Sequence, residues 1–251
     1  MKYKIAKEKI INLVTETILS GDDLDDLRWS INALAKSGSI EPAELQALVI
    51  QGWEQAVAAQ AADEPMSAET ELRLVGLQRY FSLPRNDLDH RGAFSQVARL
   101  VILRKVMEGE ILDVQFGFPI PFELHDESLI WAKRNVVYGT EVSRVHYVGG
   151  SPGIEMMAGD GLLFQADDIK GRAVESKALE AVGTGTLAIT SRHLYFDDGA
   201  EHFCIAYDDI ASLEASDGSV VLHRKQDESV GFQVNDESYL YKLLALMTTA
   251  A

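Results

Sequence analysis

The hydrophobic period of the chain changes once, near its middle, and this change is the strongest constraint on its fold. Through residues 1–112 apolar residues recur at helical spacing, which predicts amphipathic helices. After residue 122 they form short runs separated by turn signals such as Asp198-Gly199. The sequence therefore predicts an α+β protein, with an N-terminal all-helical bundle followed by an antiparallel β-barrel or sandwich that a C-terminal helix caps.

A segment rich in proline and phenylalanine lies between the two regions, at residues 113–122. Pro119 and Pro121 favour an extended course, so the segment is expected to be neither a helix nor a central strand. Its aromatic residues are expected to pack against the protein. We therefore place a helical domain at residues 1–112, a linker at 113–122 and a β domain with its C-terminal helix at 123–251.

Charge and composition narrow the classes of partner. The net charge is −16; residues 1–112 hold 13 Lys+Arg and 17 Asp+Glu, and residues 113–251 hold 10 and 22, which gives −4 and −12. An acidic surface repels phosphates, so nucleic acid is excluded and anionic membrane is disfavoured. Cys204 is the single cysteine, and Glu8, Lys9 and Glu16 interrupt the N-terminal apolar residues. We expect a cytoplasmic protein without disulfides or cofactors.

Two expectations concern the helical region. Trp29 and Trp53 are predicted to lie in its core, and a single helix is predicted from Asp87 to Met107. The acidic run 22–26 fails as a calcium loop, because counting from Asp22 gives Leu27 at the sixth position and Ala33 at the twelfth. Those acidic residues are instead predicted to cap a helix N-terminus.

Three motifs follow one another in the β region. Residues 185–190 read G-x-L-x-I-T and turn through a polar dipeptide into a strand that ends in Phe196. Residues 205–210 read I-x-Y-x-x-I, and residues 217–220 begin a D-G hairpin. In this order the motifs resemble bacterial pleckstrin-homology-like (PH-like) and GRAM-like domains, and the resemblance covers residues 123–247. It implies a binding module rather than a catalyst.

The helical region carries a second resemblance. Residues 61–71, Ala-Ala-Asp-Glu-Pro-Met-Ser-Ala-Glu-Thr-Glu, are similar to the turn into a helix of tellurite-resistance-associated helical domains. Pro65 departs from the glycine expected near that position. The resemblance implies a helical domain.

The PH-like resemblance leaves two functions open. Some relatives bind phosphoinositides through a basic first hairpin, which makes Lys133, Arg134 and Arg144 the candidate lipid contacts, although Glu141 lies among them. Other relatives bind peptides or oligomerise, which needs no basic pocket. The leading hypothesis is a non-catalytic interaction or adaptor protein that binds a protein partner or itself. The alternative is a lipid- or membrane-surface-binding module.

His193, His202 and Cys204 are the candidate metal ligands. If residues 197–200 form the tip of a hairpin, His193 opposes Cys204, and strand alternation puts all three on the outward face. The residues that then face inward are Leu194, Phe203 and Ile205. No CxxC or HxxxH spacing accompanies them and no fourth ligand is evident, so we favour a strand without metal. No residue set supports a catalytic proposal, and the chain is predicted not to be an enzyme.

Overall fold

The structure, a computed structural model, describes residues 2–60, 65–148, 154–157, 163–166, 172–216 and 218–250. Helices form the first part of the chain, antiparallel strands the second, and a helix follows the last strand, which confirms the α+β class. The chain divides into two compact units. The helical unit is Met1–Val114 with Lys242–Ala250, and the β unit is Gln115–Tyr241.

The helices that precede the sheet are α1 (Lys2–Ser20), α2 (Leu24–Gly38), α3 (Pro42–Ala58), α4 (Ala68–Tyr80), α5 (Arg85–Leu88) and α6 (Ala93–Met107). The prediction of one helix from Asp87 to Met107 was wrong. Gly92 adopts φ 76°, a left-handed conformation that a continuous helix cannot contain. The carboxylate of Asp89 accepts the Ser95 amide at 2.8 Å at the start of α6.

The acidic run at residues 22–26 caps α2, as predicted. Asp23 is the N-cap residue, and its Oδ1 accepts the amides of Asp25 at 2.7 Å and Asp26 at 3.2 Å. A carboxylate at this position satisfies amides that have no partner inside the helix. The acidic residues therefore stabilise the start of a helix.

The two tryptophans of the helical unit lie in opposite environments. Trp53 is 1% exposed, and its indole N–H donates to the Leu74 carbonyl at 3.1 Å. Trp29 is 76% exposed, so its predicted place in the core was wrong. The buried face of α2 carries Leu27 and Ile31, and a residue two positions after Leu27 is turned about 200° away from it.

The strands are β1 (Leu129–Val148), β2 (Ile154–Met157), β3 (Leu163–Ala166), β4 (Arg172–Thr190), β5 (His193–Asp197), β6 (His202–Ala206), β7 (Ile210–Ser216), β8 (Ser219–Arg224) and β9 (Val230–Gln233). Seven of them form one antiparallel sheet in the order β6-β5-β4-β1-β9-β8-β7, and β2 pairs with β3 separately. Register irregularities interrupt the long β1–β4 pairing, for example between Lys133 and Val136. Strand β1 therefore continues through local bulges.

The seven-stranded sheet is rolled around an aromatic core. The rings of Phe203 on β6 and Phe232 on β9 lie 6.4 Å apart, although four strand spacings separate these strands in the sheet order. In a flat sheet that separation would be about 19 Å. Tyr138 completes the core with ring distances of 5.0 Å to Phe203 and 5.1 Å to Phe196. The sheet curls strongly but does not close, because β6 and β7 remain its two ends.

The linker packs against the β unit, as its aromatic residues predict. Phe116, Phe118 and Ile120 lie against a buried cluster that includes Leu129 and Ala188. The chain ends in helix α7 (Glu237–Ala250), whose buried side chains include Leu240, Leu243 and Leu244. Within the part of the chain that the structure describes, no helix has the length and apolar character that a bilayer crossing needs.

Candidate functional site

The β5–β6 hairpin has a different register from the predicted one. His193 pairs with Ala206, Tyr195 with Cys204 and Asp197 with His202. The predicted pairing of His193 with Cys204 was wrong, because the turn occupies residues 198–201, one position later than predicted. Each such one-residue displacement of a turn shifts the cross-strand partner by two residues.

Turn chemistry explains the position of this hairpin. The Asp198 amide donates to the Glu201 carbonyl at 3.1 Å and closes the turn. The Asp198 carboxylate accepts the amides of Ala200 at 2.8 Å and Glu201 at 2.6 Å, and these bonds lower its pKa. Gly199 supplies the left-handed conformation, with φ 87°.

The candidate metal ligands share a face but do not converge. Leu194 and Ile205 are buried on the inward face, as predicted. On the other face His202 Nδ1 lies 3.3 Å from Asp197 Oδ2, and Cys204 is exposed. In the described residues, His193, His202 and Cys204 do not form a group with metal-ligand spacing.

His193 instead belongs to a part-buried polar cluster that no sequence motif predicts. Glu127, just before β1, is 6% exposed at its side chain, and its Oε1 lies 2.8 Å from His193 Nδ1. The same oxygen accepts the Tyr195 hydroxyl at 2.9 Å, and Oε2 accepts the Thr190 hydroxyl. We refer to Glu127, Thr190, His193 and Tyr195 as the Glu127 cluster.

Further hydrogen bonds hold the residues around the Glu127 cluster in place. Thr190 is fully buried, and its hydroxyl oxygen accepts the His193 amide at 3.0 Å. The Tyr207 hydroxyl donates to the Thr190 carbonyl at 2.7 Å. The Ser191 amide donates to the Ser128 carbonyl at 2.9 Å, so the start of β1 is joined to the β4–β5 turn by backbone as well as side-chain bonds.

Electrostatics favour an ionised carboxylate in this cluster. Burial alone would raise the pKa of Glu127, but hydrogen bonds from Thr190, His193 and Tyr195 outweigh it and hold the pKa below its ordinary value of 4.5. Burial, together with the hydrogen bond to Glu127, raises the pKa of Tyr195 to about 12. A carboxylate with a lowered pKa is a weak base, and the hydrogen bonds to both oxygens of Glu127 join the segment before β1 to β4 and β5.

Two of the three candidate lipid contacts, Lys133 and Arg134, have separate partners in the part of the chain that the structure describes. Lys133 Nζ lies 2.9 Å from Asp236 Oδ2, in a part-buried ion pair. The Arg134 guanidinium lies 4.8 Å from the centre of the Phe118 ring, a cation–π distance. The side chain of Arg144 lies outside the described part of the chain. The two described cations are therefore committed to separate partners.

Strands β6 and β7 form the two edges of the open sheet. In the described residues each has a strand neighbour on one side only, β5 for β6 and β8 for β7. Neither strand contains lysine or proline, the residues that commonly protect an edge from pairing. On β6 the side chains of His202 and Cys204 are exposed, while Ile205 is buried.

The helical unit has its own exposed apolar residues. Trp29 on α2 and Leu72 on α4 are the most exposed of the large apolar side chains that the structure describes. Tryptophan is strongly enriched among the residues that dominate protein–protein binding energy. Trp29 therefore presents a large apolar ring to solvent on α2.

Comparison with known proteins assigns no family to the chain. No family model and no curated protein matches it. The resemblance to PH-like domains therefore rests on the motifs of residues 185–220.

Proposed function

We propose that this chain is a non-catalytic interaction protein whose PH-like β unit binds a protein partner, or a second copy of itself, along edge strand β6. The observation that carries the proposal is the open edge of the rolled sheet. An unpaired edge presents a row of backbone N–H and C=O groups to which an incoming extended segment can add as a further strand.

Strand β6 is a better docking edge than β7. Glu214 stands in the middle of β7, and a charge on an edge strand opposes pairing. Strand β6, His-Phe-Cys-Ile-Ala, has no acidic or basic residue other than His202. An incoming strand would meet exposed side chains at His202 and Cys204, while Phe203 and Ile205 keep β6 anchored in the aromatic core.

The charge of the β region favours one kind of partner. Residues 113–251 carry a net charge of −12, from 10 Lys+Arg and 22 Asp+Glu. Complementary charge accelerates association and disfavours acidic competitors. We therefore expect an extended segment with basic residues beside it, and Trp29 on the helical unit offers a second contact surface.

The alternative, a lipid-binding module, has less support. It requires a basic pocket, and Lys133 and Arg134 are committed to Asp236 and Phe118 respectively. Salt-sensitive flotation of the chain on phosphoinositide vesicles, lost in the K133E/R134E double variant, would favour this alternative over protein binding.

Affinity capture from host lysate with the full chain as bait tests the proposal. The baits are the natural chain, C204K and the matched control C204S, and retained proteins are quantified by mass spectrometry. Cys204 is exposed, so lysine is accommodated without burial and places a charge at the centre of β6. We expect a protein retained by the natural chain and C204S and depleted at least tenfold by C204K.

Two results would overturn the proposal. One is the absence of any protein retained above background, together with a monomer at all concentrations. The other is equal retention by C204K and C204S, which would place the contact away from β6. In the second case, loss of retention in W29A would assign the contact to the helical unit.

A further inference from the structure

We propose that Glu141, Glu214 and His223 form a zinc-binding site in the β unit. Each residue offers one ligand atom, and these atoms all lie within 4.8 Å of one another. Glu141 stands on β1 next to the end of its pairing with β9, Glu214 lies on β7, and His223 lies on β8. Strands β9 and β8 lie between β1 and β7 in the sheet order. The rolling of the sheet therefore brings Glu141 and Glu214 close to each other.

A neighbouring hydroxyl orients the imidazole for metal binding. His223 Nδ1 lies 2.9 Å from Ser229 Oγ, and Nε2 lies 3.4 Å from Glu214 Oε2. The tautomer that carries its proton on Nδ1 donates to Ser229 and leaves the Nε2 lone pair, on the side of Glu214, to bind the metal. A second hydrogen bond of this kind is the usual support of a metal-ligating histidine. Ser229 is thus a positioning residue.

The ligand set favours Zn²⁺ among common divalent cations. Carboxylate oxygens and an imidazole nitrogen are both ordinary zinc ligands, whereas Mg²⁺ and Ca²⁺ prefer oxygen ligands throughout. At a mixed nitrogen and oxygen site, affinity rises from Mn²⁺ and Fe²⁺ to a maximum at Cu²⁺ and is lower again at Zn²⁺, so this order favours Zn²⁺ over Mn²⁺ and Fe²⁺ but not over Cu²⁺. Three protein ligands leave a fourth position for water, and Glu214 is exposed, so that position is accessible to solvent.

A bound cation would add a second link between β1 and the β7–β8 hairpin, which β9 connects in the sheet. It would hold β1 to the β7–β8 hairpin and so favour the folded state by mass action. This site contains no residue of β6, so zinc binding can be measured separately from partner binding at β6.

Isothermal titration of the chelator-treated full chain with Zn²⁺ tests the site. We expect one zinc per chain, and at least about 100-fold weaker binding in H223Q and E214Q, since loss of an outer hydrogen bond alone weakens metal sites about 10–100-fold. S229A should therefore bind about tenfold more weakly. H202Q and C204S are the matched controls and should bind as the natural chain does.

Thermal unfolding with and without Zn²⁺ provides a second measurement on the same variants. Zinc should raise the Tm of the natural chain and of H202Q but not that of H223Q. Absence of saturable zinc binding by the natural chain would overturn the proposal. Zinc binding that survives in H223Q and E214Q would also overturn it. Loss of zinc binding in H202Q and C204S would overturn it as well, because the metal would then lie on the β5–β6 face.

Discussion

Glu127 Oε1 and His193 Nδ1 lie 2.8 Å apart, although the two residues are 66 positions apart in the chain. The same buried carboxylate accepts the hydroxyls of Tyr195 and Thr190. It thereby fixes the segment that precedes β1 to strands β4 and β5. The Glu127 cluster is consequently a stabilising element of the β unit with measurable consequences.

Replacing Glu127 with alanine should lower the free energy of unfolding by about 2–4 kcal/mol, because the buried hydroxyls of Thr190 and Tyr195 lose their acceptor. Urea denaturation of the full chain measures this change. E123A is the matched control, since the side chain of Glu123 is 89% exposed, and its effect should stay within about 0.5 kcal/mol. Equal effects of E127A and E123A would contradict the structural role of the cluster.

The contribution of Glu127 should depend on pH in a defined direction. Its folded-state pKa lies below the ordinary value of 4.5, so its stabilising effect is complete above that value and is lost as the pH falls through the folded-state pKa. The stability difference between the natural chain and E127Q should therefore shrink on acidification. Urea denaturation across the acid range measures it, and a difference that grows as the pH falls would contradict the assignment.

Two helical glycines should respond to alanine in opposite directions. A methyl group at Gly52 on α3 would lie 2.7 Å from Val14 Cβ and 2.8 Å from the Ile11 carbonyl oxygen, so G52A forces α1 and α3 apart. We expect it to lower the free energy of unfolding by about 1–3 kcal/mol. At Gly76 on α4 nothing lies within 4 Å, and G76A should raise it by about 0.5–1 kcal/mol.

Urea denaturation of both variants gives the comparison. The same sign of change in G52A and G76A would contradict the close approach of α1 and α3. A hydrogen bond also joins α1 and α3 at this contact, because the Thr15 hydroxyl donates to the Gly52 carbonyl oxygen at 3.0 Å.

Trp29 should dominate the solvent-accessible fluorescence of the protein. It is 76% exposed, whereas Trp53 and Trp131 are both buried. Acrylamide quenching should therefore be reduced strongly by W29F and little by W53F. Quenching that W29F leaves unchanged would mean that Trp29 is covered, for instance by self-association through α2.

The local elements of this fold could largely be predicted from sequence. Helical spacing, the Asp23 cap and the Asp198-Gly199 turn depend on residues within a few positions of one another. The errors also have local causes. Gly92 directly precedes a new helix, α6, which the apolar spacing of residues 87–107 does not reveal, and Trp29 lies off the buried face of α2, which Leu27 and Ile31 define.

The sites could not be predicted in the same way, because they depend on contacts between distant segments. The Glu127 cluster joins residues 63–68 positions apart, and no spacing in the sequence marks such a contact. The proposed zinc ligands come together only because the sheet rolls. The turn between β5 and β6 lies one residue later than predicted. This displacement alone alters every cross-strand pair predicted for His193, His202 and Cys204.

Amide hydrogen exchange of the full chain, alone and with its captured protein partner, tests the central claim most directly. Strand addition along β6 would place new hydrogen bonds on its free edge, so exchange should slow at residues 202–206 and change little along β7. If the chain associates with itself, the same comparison is made between dilute and concentrated samples. Protection confined to the helical unit, or the absence of any protection in β6, would contradict the proposed mode of binding.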